Sequence, residues 1–177
     1  QYLEHQTSPK QGLALARMIG HLTYLSDSAL GRKFGRLIRN GDLDAAEKAL
    51  VEFEISSYHN YQGDKFAANF DANTYILVTK MLDYFDLSHQ FKDKADQAFH
   101  HASCNFLVIS FSSDWRFSPN CSQEIVDALI EADKNVSYLK IDSDQGHDAF
   151  LLPNHRYEEA LDAYLGNVYE TLNGANS

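Results

Sequence analysis

The sequence predicts an α/β fold, a parallel βαβα edge preceded by an all-α region, and three observations predict it. Two compact runs rich in β-branched and aromatic residues, Asn105 to Phe111 and Val136 to Ile141, read as strands. Between them Ser118-Pro119 opens an apolar-periodic helix, and a strand–helix–strand crossover implies parallel strands. Ahead of them the chain shows helical periodicity only. The division falls at 101/102, with residues 1–101 as a helical lid or cap region and residues 102–177 as the βαβα part.

Each element has a local reason. Pro9 suits a helix start, and Leu15, Met18, Ile19, Leu22 and Leu25 recur at helical spacing as an apolar stripe, with Gly20 tolerated inside. Asn40-Gly41 and Gln62-Gly63 read as breaks. The stretch between them, Asp42 to Tyr61, is expected to be helical, with Ala45, Ala49, Leu50, Phe53 and Tyr58 inside. Asp71 caps a further helix that carries Tyr75, Val78, Met81 and Leu82. The crossover helix is expected to bury Ile125, Val126, Leu129 and Ile130 and to end at Asp133 to Asn135. A last helix from about Asn154 keeps Tyr157, Ala160, Leu161, Tyr164, Leu165, Val168, Tyr169 and Leu172 in register to cover a sheet face. Two parallel strands are too few for a stable sheet. The chain also opens at Gln1 rather than Met, so it is expected to be the C-terminal part of a larger enzyme, with completion by another chain as the alternative.

Composition excludes several classes of function. The 177 residues are 44% hydrophobic and 12% aromatic, enough for a real core. A net charge of −10 disfavours nucleic acid or an anionic membrane as partner, and no apolar run approaches spanning length. Cys104 and Cys121 match neither a zinc nor a redox spacing and are expected to be small buried hydrophobes in a reducing, cytoplasmic compartment. The eight histidines form no ligand pattern, since His100-His101 would point apart on a helix and the rest are scattered, so no metal is assigned.

Chemistry gathers beyond the strands. In an open parallel sheet, ligands collect past the carboxyl ends of the strands, and Asp114 and His147 each stand just past one. A carboxylate there can hold an imidazole in one tautomer and stabilise the imidazolium. An imidazole takes and gives protons near neutrality, and Gly146 permits the tight turn that aims it. Asp followed by His is the order of the last two members of a Ser–Asp–His triad in one large class of hydrolase folds. None of the chain's serines lies in a Gly-x-Ser-x-Gly elbow, so the nucleophile and the oxyanion hole are expected outside it.

Four stretches carry a resemblance: Gly12 to Tyr24; Tyr61 to Phe66 with Phe70 to Tyr75; Ser113 to Phe117; and Gly146 to Leu151. Together they run over most of the chain, and in their order and spacing the sequence resembles the homoserine O-acyltransferases of the α/β-hydrolase fold. That resemblance implies the C-terminal part of an α/β-hydrolase fold behind an inserted helical lid, with Asp114 and His147 as triad acid and base. It implies ping-pong transfer of an acyl group from acetyl-CoA or succinyl-CoA to L-homoserine in methionine biosynthesis, with the acyl-CoA as co-substrate and no bound cofactor. It also implies a homodimer formed through the lid.

Homoserine presents a carboxylate and an ammonium. Arg17, His21 and Tyr24 form a polar stripe along the flank of the first helix, and the resemblance assigns Arg17 to the substrate carboxylate, with Tyr24 nearby and Asp148 on the ammonium. The competing reading of Arg17 is a solvated helix charge, of Tyr24 a core aromatic, and of Asp148 a capping acid. Arg116, beside the acid, suits the free carboxylate of a succinyl donor or a structural ion pair. Two other functions remain in competition, an esterase or thioesterase of the same fold and a non-catalytic helical interaction fragment.

Overall fold

The computed structural model describes residues 9–37, 54–92 and 94–174. They fall into two compact units that divide between Asp86 and Leu87.

The first unit is helical. Helix α1 spans Lys10–Leu22, opening after Pro9, whose carbonyl accepts the Leu13 N–H at 3.0 Å. Helix α2 spans Asp27–Lys33 and is capped by Ser26, whose Oγ accepts the Ala29 N–H at 3.1 Å. Helix α3 spans Glu54–Asn69, and α4 spans Ala72–Tyr84. The cap expected at Asp71 is present: its Oδ1 accepts the Thr74 N–H at 2.8 Å and the Thr74 hydroxyl at 3.0 Å. Leu13, Ala14, Ala67 and Ala72 form the core where α1, α3 and α4 meet, with Met18, Phe66 and Tyr75 against it.

One expectation for this unit is corrected. Gln62-Gly63 does not break the chain, because α3 runs through it. Gly63 is buried against α1, where an added Cβ would stand 3.0 Å from the Ala14 carbonyl oxygen and 2.9 Å from the Met18 methyl group. This glycine is there for close approach of two helices. Much of the apolar stripe of α1 faces outward: Leu15 and Ile19 are 57% and 56% exposed, and Leu22 is exposed as well. The face against α3 carries Leu13, Ala14 and Met18 together with half-buried Arg17 and His21. On α4, Val78, Met81 and Leu82 are likewise exposed. Asn40-Gly41 and Asp42 to Phe53 lie outside the described residues.

The second unit is the α/β part. Strands β1, Phe106–Phe111, and β2, Val136–Ile141, pair in parallel with Phe106 opposite Val136 and Phe111 opposite Ile141. Helix α6, Pro119–Glu131, crosses between them with Ser118 at the N-cap and proline in the first turn. A short helix α5, Ala95–Phe99, grouped with the lid by the sequence reading, sits in this unit against α6. On one sheet face Phe111, Ile141 and Ala149 form a core with Ile109, Leu139 and Tyr157, the last from helix α7, His155–Gly174. The Asn154 side chain caps α7 by accepting the Tyr157 N–H at 3.1 Å. On the other face, the Ser110 and Tyr138 hydroxyls meet at 2.9 Å, below the start of α6.

Here too single positions differ from expectation. Helix α6 buries Val126, Ala128 and Leu129, whereas Ile125 and Ile130 are exposed. Along α7, Leu165, Tyr169 and Leu172 are exposed. Cys104 and Cys121 are exposed rather than buried, because one precedes β1 in a loop and the other lies in the first turn of α6. His100 and His101 follow the end of α5, and their rings meet edge to face at 5.4 Å instead of pointing apart. No described helix is long and apolar enough to cross a membrane.

Candidate active site

Beyond β1 and β2 the two loops converge. Asp114 lies three residues past β1 and is only 7% exposed. Burial of a carboxylate demands partners for both oxygens, and the structure supplies them. Its Oδ1 accepts the backbone N–H groups of Arg116 at 3.0 Å and Phe117 at 2.9 Å, so the turn into α6 wraps around it. Its Oδ2 stands 2.9 Å from Nδ1 of His147. An ionised carboxylate only accepts, so Nδ1–H donates and Nε2 is the acceptor nitrogen of the ring.

His147 opens a one-turn 3₁₀ helix, His147–Leu151, after Gly146, whose φ of 77° is in the region that favours glycine. Its side chain is 20% exposed. The Phe117 and Phe150 rings flank the imidazole at centroid distances of 5.1 and 5.8 Å. A cavity of about 370 Å³ opens beside the pair, lined among others by Leu107, Ile109, Phe111, Phe150 and Leu161, with Asp114 and His147 in its wall. Mostly apolar walls, with the Ser110 and Ser122 hydroxyls as further polar groups, suit chemistry from which water is partly excluded.

The structure also brings Arg17 and Tyr24 together within the helical unit. The Arg17 guanidinium lies 5.2 Å from the Phe66 ring centroid and 5.6 Å from that of Tyr24, and its Nη1 donates to the Tyr24 hydroxyl at 3.3 Å. Arg17 is therefore a half-buried cation held between aromatic faces rather than a solvated helix charge. His21 meets Tyr24 and Tyr58 edge to face at 5.4 and 5.8 Å. Next to Tyr58, burial holds the His59 imidazole below its ordinary value. Asp148 follows His147 in the 3₁₀ turn, and its carboxylate makes no ion pair among the described residues. Arg116 is exposed and rests over the Phe117 ring at 5.6 Å.

The sequence reading missed Ser112, Ser113, Phe117 and Phe150. Hydroxyls and rings near a turn have no periodicity to expose them; the only signal was their place within or beside the two motifs.

A buried acid after one parallel strand, bonded to a histidine after the next, defines the rim of an α/β-hydrolase fold. The solved structure of a homoserine O-acetyltransferase from Bacillus anthracis superposes on 81% of this chain and 38% of its own with a TM-score of 0.67, at 21% identity. Esterase E22 matches 80% of this chain and 38% of its own, with a TM-score of 0.63 at 19% identity. No family model matches.

In sequence the chain is similar to proteins named homoserine O-succinyltransferase. That of Cellvibrio japonicus is 58% identical over 167 residues, 94% of this chain, and that of Saccharophagus degradans is 56% identical over 168. The resemblance carried by the four motifs is thereby borne out. The chain spans 44% of the length of each of these two relatives.

Proposed function

We propose that this chain supplies the acid and base of a homoserine O-acyltransferase acting by ping-pong transfer from an acyl-CoA, with the nucleophilic serine and the oxyanion hole in the remainder of the protein. The carrying observation is the 2.9 Å bond between Asp114 and His147, in triad order past successive parallel strands. The relatives' name favours succinyl-CoA as donor over acetyl-CoA, and Arg116, a cation beside the acid, suits the succinyl carboxylate.

In this reading the serine hydroxyl gives its proton to His147 Nε2 and attacks the thioester carbonyl. CoA then leaves as the thiol, taking that proton. His147 next accepts the homoserine hydroxyl proton, the alkoxide attacks the acyl-serine, and serine departs protonated. Asp114 stabilises the imidazolium in both halves. Arg17 binds the homoserine carboxylate, with Tyr24 orienting the guanidinium, and Asp148 binds the ammonium. The reaction belongs to methionine biosynthesis in the cytoplasm, and the exposed apolar faces of α1 and α4 support a homodimer formed through the helical unit.

CoA release from succinyl-CoA and acetyl-CoA, each with and without L-homoserine, tests this reading in the complete enzyme. Release that requires homoserine and is faster with succinyl-CoA is expected. Equal hydrolysis of either thioester without homoserine would make the protein a thioesterase. Arg17→Ala should raise the KM for homoserine about 10-fold to 100-fold, the scale of 1.5–3 kcal/mol for a charge-assisted hydrogen bond, while the first-turnover burst of CoA persists.

A further inference from the structure

The backbone ladder between β1 and β2 ends where the Ser112 N–H donates to the Ile141 carbonyl at 2.9 Å. Beyond it the two loops are joined by the side chains of three consecutive residues. The Ser112 hydroxyl stands 2.6 Å from Asp142 Oδ1 and accepts the Ser143 N–H at 2.9 Å. The Ser113 hydroxyl accepts the Gly146 N–H at 2.9 Å. Asp114 then meets His147. Adjacent residues on one loop thus hold adjacent residues on the other: Ser113, Gly146, His147 and Asp114 close a ring through two hydrogen bonds and two stretches of backbone.

Within that ring Gly146 is the pliable member. It takes φ 77° and ψ −151°, and a residue without Cβ has the widest choice of torsions. It also immediately precedes the histidine, so rotation about its torsions swings the imidazole. Its carbonyl accepts the Ala149 N–H at 3.3 Å, a long bond within the same turn. The Ser113 hydroxyl is the short tie that fixes its N–H to the loop of the acid.

We propose that Ser113 is a positioning residue for the Asp114–His147 pair, holding the Gly146 hinge so that Nδ1–H of His147 stays on Asp114 through both half-reactions. The proposal rests on the catalytic reading of that pair, and it adds a residue that does not line the cavity beside it. The effect is one of alignment: a displaced base costs turnover while leaving the substrate's own contacts in place.

The test uses the complete enzyme with 15N-labelled histidine. In Ser113→Ala the His147 Nδ1–H proton resonance should broaden and exchange faster, and kcat should fall about 10-fold to 100-fold with the KM for homoserine unchanged. Ser113→Thr, which keeps the hydroxyl, should recover most of both. Should the alanine variant fail to fold, Ser113→Cys, with similar volume and a weak sulfur acceptor, should show the same split. A folded Ser113→Ala or Ser113→Cys enzyme with native kcat and a native His147 resonance overturns the proposal. So does a Ser113→Thr enzyme as impaired as the alanine variant. His147→Ala separates this failure from failure of the catalytic reading: if it turns over normally the reading itself is wrong, whereas its inactivity beside a normal Ser113→Ala enzyme refutes only the positioning role.

Discussion

Asp114 meets three donors with two oxygens, and the division of labour between them makes a single-atom change informative. Asparagine in its place keeps one acceptor oxygen and turns the other into a donor. The Arg116 and Phe117 N–H groups both need the Oδ1 acceptor, so Asp114→Asn points its amide at His147 Nδ1 and forces the proton onto Nε2. A ring in that tautomer cannot accept the nucleophile's proton. The expected outcome in the complete enzyme is a kcat lower by about 10⁴-fold, the scale known for the equivalent change in serine proteases, with the melting temperature little altered. A kcat within 10-fold of wild type would show that Asp114 only braces the turn into α6. This pair was legible in the sequence because acid and base each follow a strand, and the strands announce themselves by composition. Ser113 was not, since a hydroxyl that accepts one backbone N–H across 33 positions leaves no trace in periodicity.

Helices show the limit of periodic reasoning. Period 3.6 locates a stripe on α1 correctly, yet Leu15, Ile19 and Leu22 are exposed and the neighbouring face, bearing Ala14 and Arg17, packs on α3. Spacing reports which residues share a face; which face is covered depends on the partner surface. The same gap misplaced Gly63, whose composition signal suggests a break and whose structure shows a contact point. Two glycines therefore respond in opposite directions. Gly20 in α1 has open space at its missing Cβ, so Gly20→Ala should raise stability by about 0.4–1 kcal/mol. Gly63→Leu drives a side chain into the Ala14 backbone and should lower stability by about 1–3 kcal/mol, pushing α1 away and loosening Arg17 from Phe66. Urea denaturation of the complete enzyme followed by helical circular dichroism measures both. A stabilising Gly63→Leu would mean that α1 and α3 have room that the 3.0 Å approach denies.

At the scale of the molecule, the exposed apolar residues and the short sheet have one common explanation. Met81 and Leu82 on α4 are 63% and 69% exposed, Trp115 and Phe117 are exposed beside the acid, and among the described residues β1 pairs only with β2. Faces of this kind are ordinarily covered, and two parallel strands do not make an independent sheet. Relatives more than twice as long leave length for further strands and, on the proposed reading, for a nucleophilic serine. The chain by itself should therefore show no homoserine-dependent CoA release and should bind a hydrophobic dye strongly. Refolded together with a polypeptide carrying the remainder of the Cellvibrio japonicus relative's length, it should gain release and lose dye binding, and His147→Ala in this chain should abolish the regained activity. Acyl transfer by this chain without its complement would place a nucleophile within the chain itself. A folded, dye-silent complex that remains inactive would remove the dyad from the chemistry and leave it a structural tie between the two loops.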